Sequence, residues 1–272
     1  MRRARNIMQY TKLFLGIVIS VTVLLAIILH IALNGLGHIT LDFLFNINAP
    51  RGESILPMAV TTLIVVFLTL MISVPVGIGT AIYLNEYANK KSRIVKIIRL
   101  AIETLSGIPS IVYGLFGFLF YVIILGWSWS VIAGVFTISI MVLPIIIRSG
   151  EEALKSVPVS YREGSFALGA GKFHTIRKVV LPSAITGILA AVILSIGRMV
   201  GETAALILTA GTLVNLPGSL FSSAATLSVF MYTITVEGTD MNRAYATAVV
   251  LMTLVFGLNM LANFIGSKFH KG

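Results

Sequence analysis

Two opposite charges, Arg198 and Glu202, stand four residues apart in an apolar run that begins near Ser183. A charge at mid-bilayer costs roughly 2.5–3.5 kcal/mol on insertion scales, so such residues persist where they compensate each other or face a polar path. The i, i+4 spacing predicts that both lie on one helix face, about four turns into a span. Gly197 and Gly201 repeat the same interval and would let a second helix approach beside them. Two chemistries fit. A guanidinium offers planar, paired donors to phosphate oxygens and stays cationic; Glu202 would then hold Arg198 and weaken its grip, so that the anion also leaves. Alternatively, the two form a buried ion pair that sets helix register.

Other reactive groups lack company. His30 and His38 have no partner at metal-ligand spacing. The serines stand in no motif with His or Asp, so nucleophilic catalysis has no support. With no cysteine, thiol chemistry is out. Gly164–Lys172 is glycine-rich, but Ala170 follows Gly169 and Phe173 follows Lys172, so it is not a phosphate-binding loop. This chain is not expected to bind ATP.

The elements that must hold Arg198 are membrane spans. Of 272 residues, 57% are hydrophobic and only 11% charged, where a soluble domain carries about a quarter charged residues. Stretches long enough to cross a bilayer fall near 13–34, 58–84, 108–126, 130–148, 183–212 and 243–266. The expected fold class is therefore all-α, integral membrane, with six transmembrane helices. The apolar run Leu13–Leu33 is too long for a signal-peptide core and reads as a retained span. Trp127 and Trp129 close the third span with indoles suited to a lipid interface. Pro75, Gly77 and Gly79 in the second span and Pro144 in the fourth allow bending or close packing.

Net charge is +10. Basic loops on one side of a membrane explain it better than nucleic acid. With the N-terminus inside, all but three of the 20 Lys and Arg residues (Arg51, Arg198 and Arg243) fall in cytoplasmic segments, which places both termini in the cytoplasm. Ile94, Ile97, Ile98, Ala101, Ile102 and Leu105 recur at helical spacing, with Lys96, Arg99 and Glu103 on other faces. They predict an amphipathic helix lying along the membrane surface. The outer mouth is assigned to 35–57 and 213–242.

Between the fourth and fifth spans lies a polar island, 148–182. Pro158 ends the preceding helix, and Ser160 three residues before Glu163 has capping-box spacing, so a helix is expected to start at Ser160. Gly169 and Gly171 permit a turn. Lys172–Val180 reads as a second helical stretch, and Pro182 can begin the next span. A short helix between two turns can seat in a groove on a partner; a plain solvated connector is the other reading.

The island's residues resemble a known pattern. Glu163-Gly164-Ser165, then Gly169, then Val179-Val180-Leu181-Pro182 is similar to the EAA loop of the permeases of ATP-driven (ABC) importers, with Gly-Ser for Ala-Ala and Val for Ile. Leu105–Gly117 is similar to the third-span opening of phosphate permeases. Gly197-Arg198-Met199-Val200-Gly201-Glu202-Thr203-Ala204 resembles their Arg-x-x-Gly-Glu-Thr signature, and the following Ala-Leu-Ile-Leu-Thr-Ala-Gly leans toward the A-type, PstA-like branch.

The resemblance covers about 55–268. It implies a type I importer permease fold, with residues 1–57 as tail, first span and outer loop, and 58–268 as the core. It implies that Ser160, Glu163, Gly164, Ser165, Ala167, Gly169, Leu181 and Pro182 serve coupling to separate ATPase subunits, which bind the ATP and Mg. It implies phosphate as cargo, Arg198 and Glu202 on its path, a C-type second permease, an extracytoplasmic phosphate-binding protein, and a multi-pass place in the cell membrane. No cofactor or metal belongs to this chain. The alternatives are another oxyanion such as molybdate or sulfate, an ion-coupled secondary transporter with Glu202 as proton carrier, and a non-transporting phosphate-sensing scaffold.

Overall fold

The computed structural model describes residues 2–46, 53–89 and 91–269, all helix, turn or irregular backbone. Arg51, Lys90 and Lys271, three of the charges used for orientation, lie outside the described residues.

Helix α1 (Arg2–Gly35) is followed by a short helix α2 (Leu41–Phe45), capped by Thr40, which accepts from Phe43 N at 3.1 Å. Next come α3 (Leu56–Ile82), the wide helical turn Tyr83–Tyr87, and α4 (Arg93–Ser106). Helix α5 (Ser110–Gly117) continues as a widened helix to Ile124, and α6 runs over Val131–Ser156. The island holds α7 (Val159–Ala167) and α8 (Lys172–Thr175). A wide turn leads into α9 (Leu181–Val200), followed by α10 (Ala204–Thr209), α11 (Leu227–Glu237) and α12 (Met241–Phe269).

Five of these helical stretches are long and apolar enough to cross a bilayer, and a sixth arm follows α4 after a bend of 104°. That bend matches the expected helix lying across the spans. Its face differs in part: Val95, Ile98, Arg99 and Ile102 turn toward the bundle, while Ile94, Ile97 and Ala101 are exposed together with Leu100. The island end of the bundle carries α7 and α8. Gly266 of α12 meets Leu189 of α9 toward that end, and Gly35 of α1 meets Tyr245 and Val249 of α12 at the opposite, far end.

Helix α6 is the centre: 67% of its apolar stretch is buried, against none in α1 and α12. It approaches α3 so closely that a Cβ on Gly77 would stand 2.6 Å from Ile146. Buried hydroxyls bond back to their own helices, as Thr62 to Met58 O and Ser139 to Val135 O, both at 2.7 Å. In an apolar medium each polar group must find its partner inside the protein. At the far end Trp127 packs with Tyr121, Phe136 and Phe221, while Trp129 remains half exposed.

One expectation is corrected. The fifth span is not one helix over 183–212: it stops at Val200 and resumes at Ala204. Gly201 is a poor helix former, and Thr203 adopts φ −124° and ψ −54°. The stretch 213–242, assigned to the outer mouth, is not an open loop throughout. It folds back so that Ala225 N donates to Leu213 O, and α11 starts among buried residues, with Leu227 N bonded to Thr62 of α3 at 3.0 Å.

Candidate functional site

The break in the fifth span separates the two charges. Arg198 sits in the last turn of α9 and Glu202 lies beyond it, so they do not share a helix face, and among the described residues no ion pair joins them. The physical cause is Gly201: once the backbone leaves the helix there, i, i+4 geometry is gone.

Glu202 turns inward, 8% exposed. Its Oε1 accepts from Ala205 N at 3.3 Å, satisfying one of the free N–H groups that open α10. Its backbone carbonyl accepts from Ser228 Oγ at 2.7 Å. Ser228 is 3.0 Å from Thr226, whose hydroxyl caps α11. Glu202 therefore fastens α10 and the returning chain to each other.

Arg198 turns the other way and is exposed. It lies within electrostatic reach of Tyr113 on α5, whose hydroxyl donates to Leu105 O at 2.7 Å. A stripe of exposed residues, Ser183, Thr186, Ala190, Leu194, Arg198 and Gly201, runs the length of α9. Among the described residues, nothing outside its own helix backbone comes within 4 Å of a Cβ on Gly197. The predicted helix approach is thus not made by the described residues. Thr209 O at the end of α10 accepts from Ser130 N at the start of α6. Arg198 therefore lies in the last turn of the apolar helix α9, just before the break, with α10 between it and that end.

The island forms the second part. Helix α7 begins at Val159 after Pro158, one residue earlier than expected, and Ser160 makes no capping bond. The capping box is therefore not formed: the N-cap position belongs to Pro158, whose ring supplies no acceptor. Ser160, Glu163, Gly164 and Ala167 are exposed; Ser165 bonds to Thr175 of α8 at 2.9 Å. Gly169 holds φ +82° in the turn. Leu181 is half-buried beside Val180, and exposed Pro182 lies in the first turn of α9. Between α7 and α8 runs a groove of about 780 Å³ lined by Tyr161, Gly164, Leu168 and His174, among others. Leu168 is 90% and Phe173 70% exposed.

Several partners escaped sequence reading. Arg162 reaches Glu86 at 2.7 Å, and Arg99 donates to Glu151 Oε2 at 2.9 Å. Arg99 Nη2 also lies 2.9 Å from Glu151 Oε1, so both carboxylate oxygens meet the guanidinium. In the sequence Arg162 registered only as a basic island residue and Arg99 as one on the polar side of the amphipathic helix. A buried-side acid such as Glu151, on the inward face of α6, was the one available signal.

The bundle has the fold of a type I ABC-importer permease. It superimposes on a chain of a bacterial alginate ABC transporter in complex with an alginate pentasaccharide-bound periplasmic protein with TM-score 0.73 at 15% identity, covering 98% of this chain and 96% of that one. A chain of the inward-facing MetNI methionine ABC transporter gives TM-score 0.62 at 22% identity, over 77% and 91%. Residues 73–270 match the family described as binding-protein-dependent transport system inner membrane component, and the chain belongs to that family. It is 34% identical to the probable ABC transporter permease protein YqgI of Bacillus subtilis, over 68% of this chain and 63% of that protein. To the probable ABC transporter permease protein YqgH of the same organism it is 32% identical, over 86% and 80%. To the phosphate transport system permease protein PstA 1 of Mycobacterium tuberculosis it is 39% identical, over 52% and 46%. The chain thus spans about half to two-thirds of the length of YqgI and PstA 1. It is a multi-pass membrane protein of the transporter class.

Proposed function

We propose that this chain is a permease subunit of an ATP-driven phosphate importer. The carrying observation is Arg198: a guanidinium in the last turn of an apolar span, with no acidic partner among the described residues, on an open stripe of α9. A charge within a span is tolerated where it faces water or an anion. A second permease, of the C-type, covers that stripe and completes the path. Phosphate meets the paired donors of Arg198 and leaves because the contact is a single arginine. The likeness to PstA 1 supports this cargo.

The groove between α7 and α8, with exposed Leu168 in its lining, receives a separate ATPase subunit that binds ATP and Mg. Ser160, Glu163, Gly164, Ser165, Ala167 and Gly169 form that docking element, and Leu181 and Pro182 join it to the fifth span. The basic island end and both termini face the cytoplasm. An extracytoplasmic binding protein delivers phosphate at the far end.

Uptake by the reconstituted complex tests this reading. Phosphate transport should be inhibited by excess phosphate and not by sulfate, molybdate or tungstate. Arg198→Gln should reduce uptake by at least about tenfold, and Arg198→Lys by less, because the point charge remains but the fork is lost. Normal phosphate uptake by a well-assembled Arg198→Gln complex would remove the assignment. Transport that needs no ATPase would favour a secondary transporter, and no transport at all a sensing scaffold.

A further inference from the structure

The wide turn Tyr83–Tyr87, at the island end of α3, is gripped from three directions. From α7, Arg162 Nη2 and Nε donate to Glu86 Oε1 at 2.7 and 3.2 Å. The same guanidinium donates to Leu154 O and Val157 O at the end of α6, both at 2.9 Å. From α8, the Lys172 ammonium lies 4.8 Å above the Tyr87 ring. From α4, Arg99 Nη2 donates to Leu84 O at 3.2 Å while its other nitrogen holds Glu151 of α6. The Arg162 and Glu86 side chains are only 16% and 10% exposed, so their charges are little screened by solvent.

Two of the elements meeting at this turn lead to the Arg198–Glu202 region. Helix α3 carries Thr62, which accepts from Leu227 N beside the Ser228–Glu202 bond. Helix α4 bends through 104° into α5, which carries Tyr113, within electrostatic reach of Arg198. A widened helical turn also gives up regular i→i−4 bonding, a feature frequent at functional sites.

We propose that Arg162 and Glu86 form the relay that carries displacement of the docking loop into α3, and through α3 to the break beside Arg198. They act as positioning residues, touching neither cargo nor nucleotide. The proposal rests on the reading of the island as the ATPase dock, and goes beyond it by assigning the route of coupling. A loop held only by backbone connections could rock without moving α3. The buried fork fixes the two together, so both shift as one body or the pair breaks.

The test uses the full complex with its ATPase subunits. Spin labels at Phe67 on α3 and Phe256 on α12, both exposed, report the distance between those helices with and without a non-hydrolysable ATP analogue. This readout does not depend on the cargo, so a wrong substrate leaves it intact. In the unmodified chain the analogue should change the distance. Glu86→Gln should abolish that change while ATPase subunits still co-purify, and uptake per ATP hydrolysed should fall about tenfold, within the usual range of coupling free energies. Glu86→Asp, which keeps the charge, should retain a measurable part of both. An unchanged distance response in assembled Glu86→Gln overturns the relay, as does an unmodified complex in which α3 does not move. Failure of the phosphate reading would show separately, as absent phosphate uptake with the distance change preserved.

Discussion

Arg198 and Glu202 divide the work that their spacing assigned to a pair. Glu202 is a fastening group, because its carboxylate oxygen meets an orphan helix N–H and its carbonyl meets Ser228. An amide oxygen can accept the same bond from Ala205 N. Glu202→Gln should therefore leave stability nearly unchanged, while Glu202→Ala should cost about 1 kcal/mol, as loss of a helix cap does. Thermal unfolding of the purified chain in detergent measures the difference. The Gln variant should also transport normally, whereas a proton-carrying Glu202 would require that variant to fail. The sequence showed that these two residues were unusual, since charge in an apolar run is visible by composition. It did not show that they part company, because Gly201 is compatible with either a helix interior or a helix stop.

At the scale of elements, the island reads as predicted in outline: a helix, a glycine turn and a second helical stretch leading into the fifth span. What it presents is a groove edged by exposed apolar side chains, which in water alone would be unfavourable. Gly169 carries the turn at φ +82°. An L-residue there meets a left-handed backbone cost of about 1–2 kcal/mol. Among the described residues, none but its chain neighbours lies within 4 Å of a Cβ at this position, so Gly169→Trp should distort the turn and fill the dock without disturbing the spans. Uptake should fall sharply while the chain still inserts and accumulates; unchanged uptake with the ATPase bound would count against the dock. The returning segment before α11 and the 11-residue α11 itself escaped sequence reading, because α11 is too short to span a bilayer and its burial comes from α3 and the fifth-span break.

Across the whole molecule, α6 is enclosed while α1 packs along α12, and α9 leaves a stripe uncovered. Under the proposed function, the second permease covers that stripe and the ATPase docks at the island. The asymmetry of Lys and Arg supports the proposed orientation. A reporter fused after residue 272 should be active only in the cytoplasm, and one inserted at Val236 only outside; the reverse would invert the arrangement. Sequence alone determined the membrane class, the rough places of five to six apolar spans and the position of the island, because transfer free energy accumulates locally over about 20 residues. Only the tertiary structure decided that the fifth span breaks, that Glu202 fastens rather than pairs, and that Arg162 meets Glu86, 76 positions away. These depend on which distant groups satisfy each other once water is excluded, and local spacing carries no record of that.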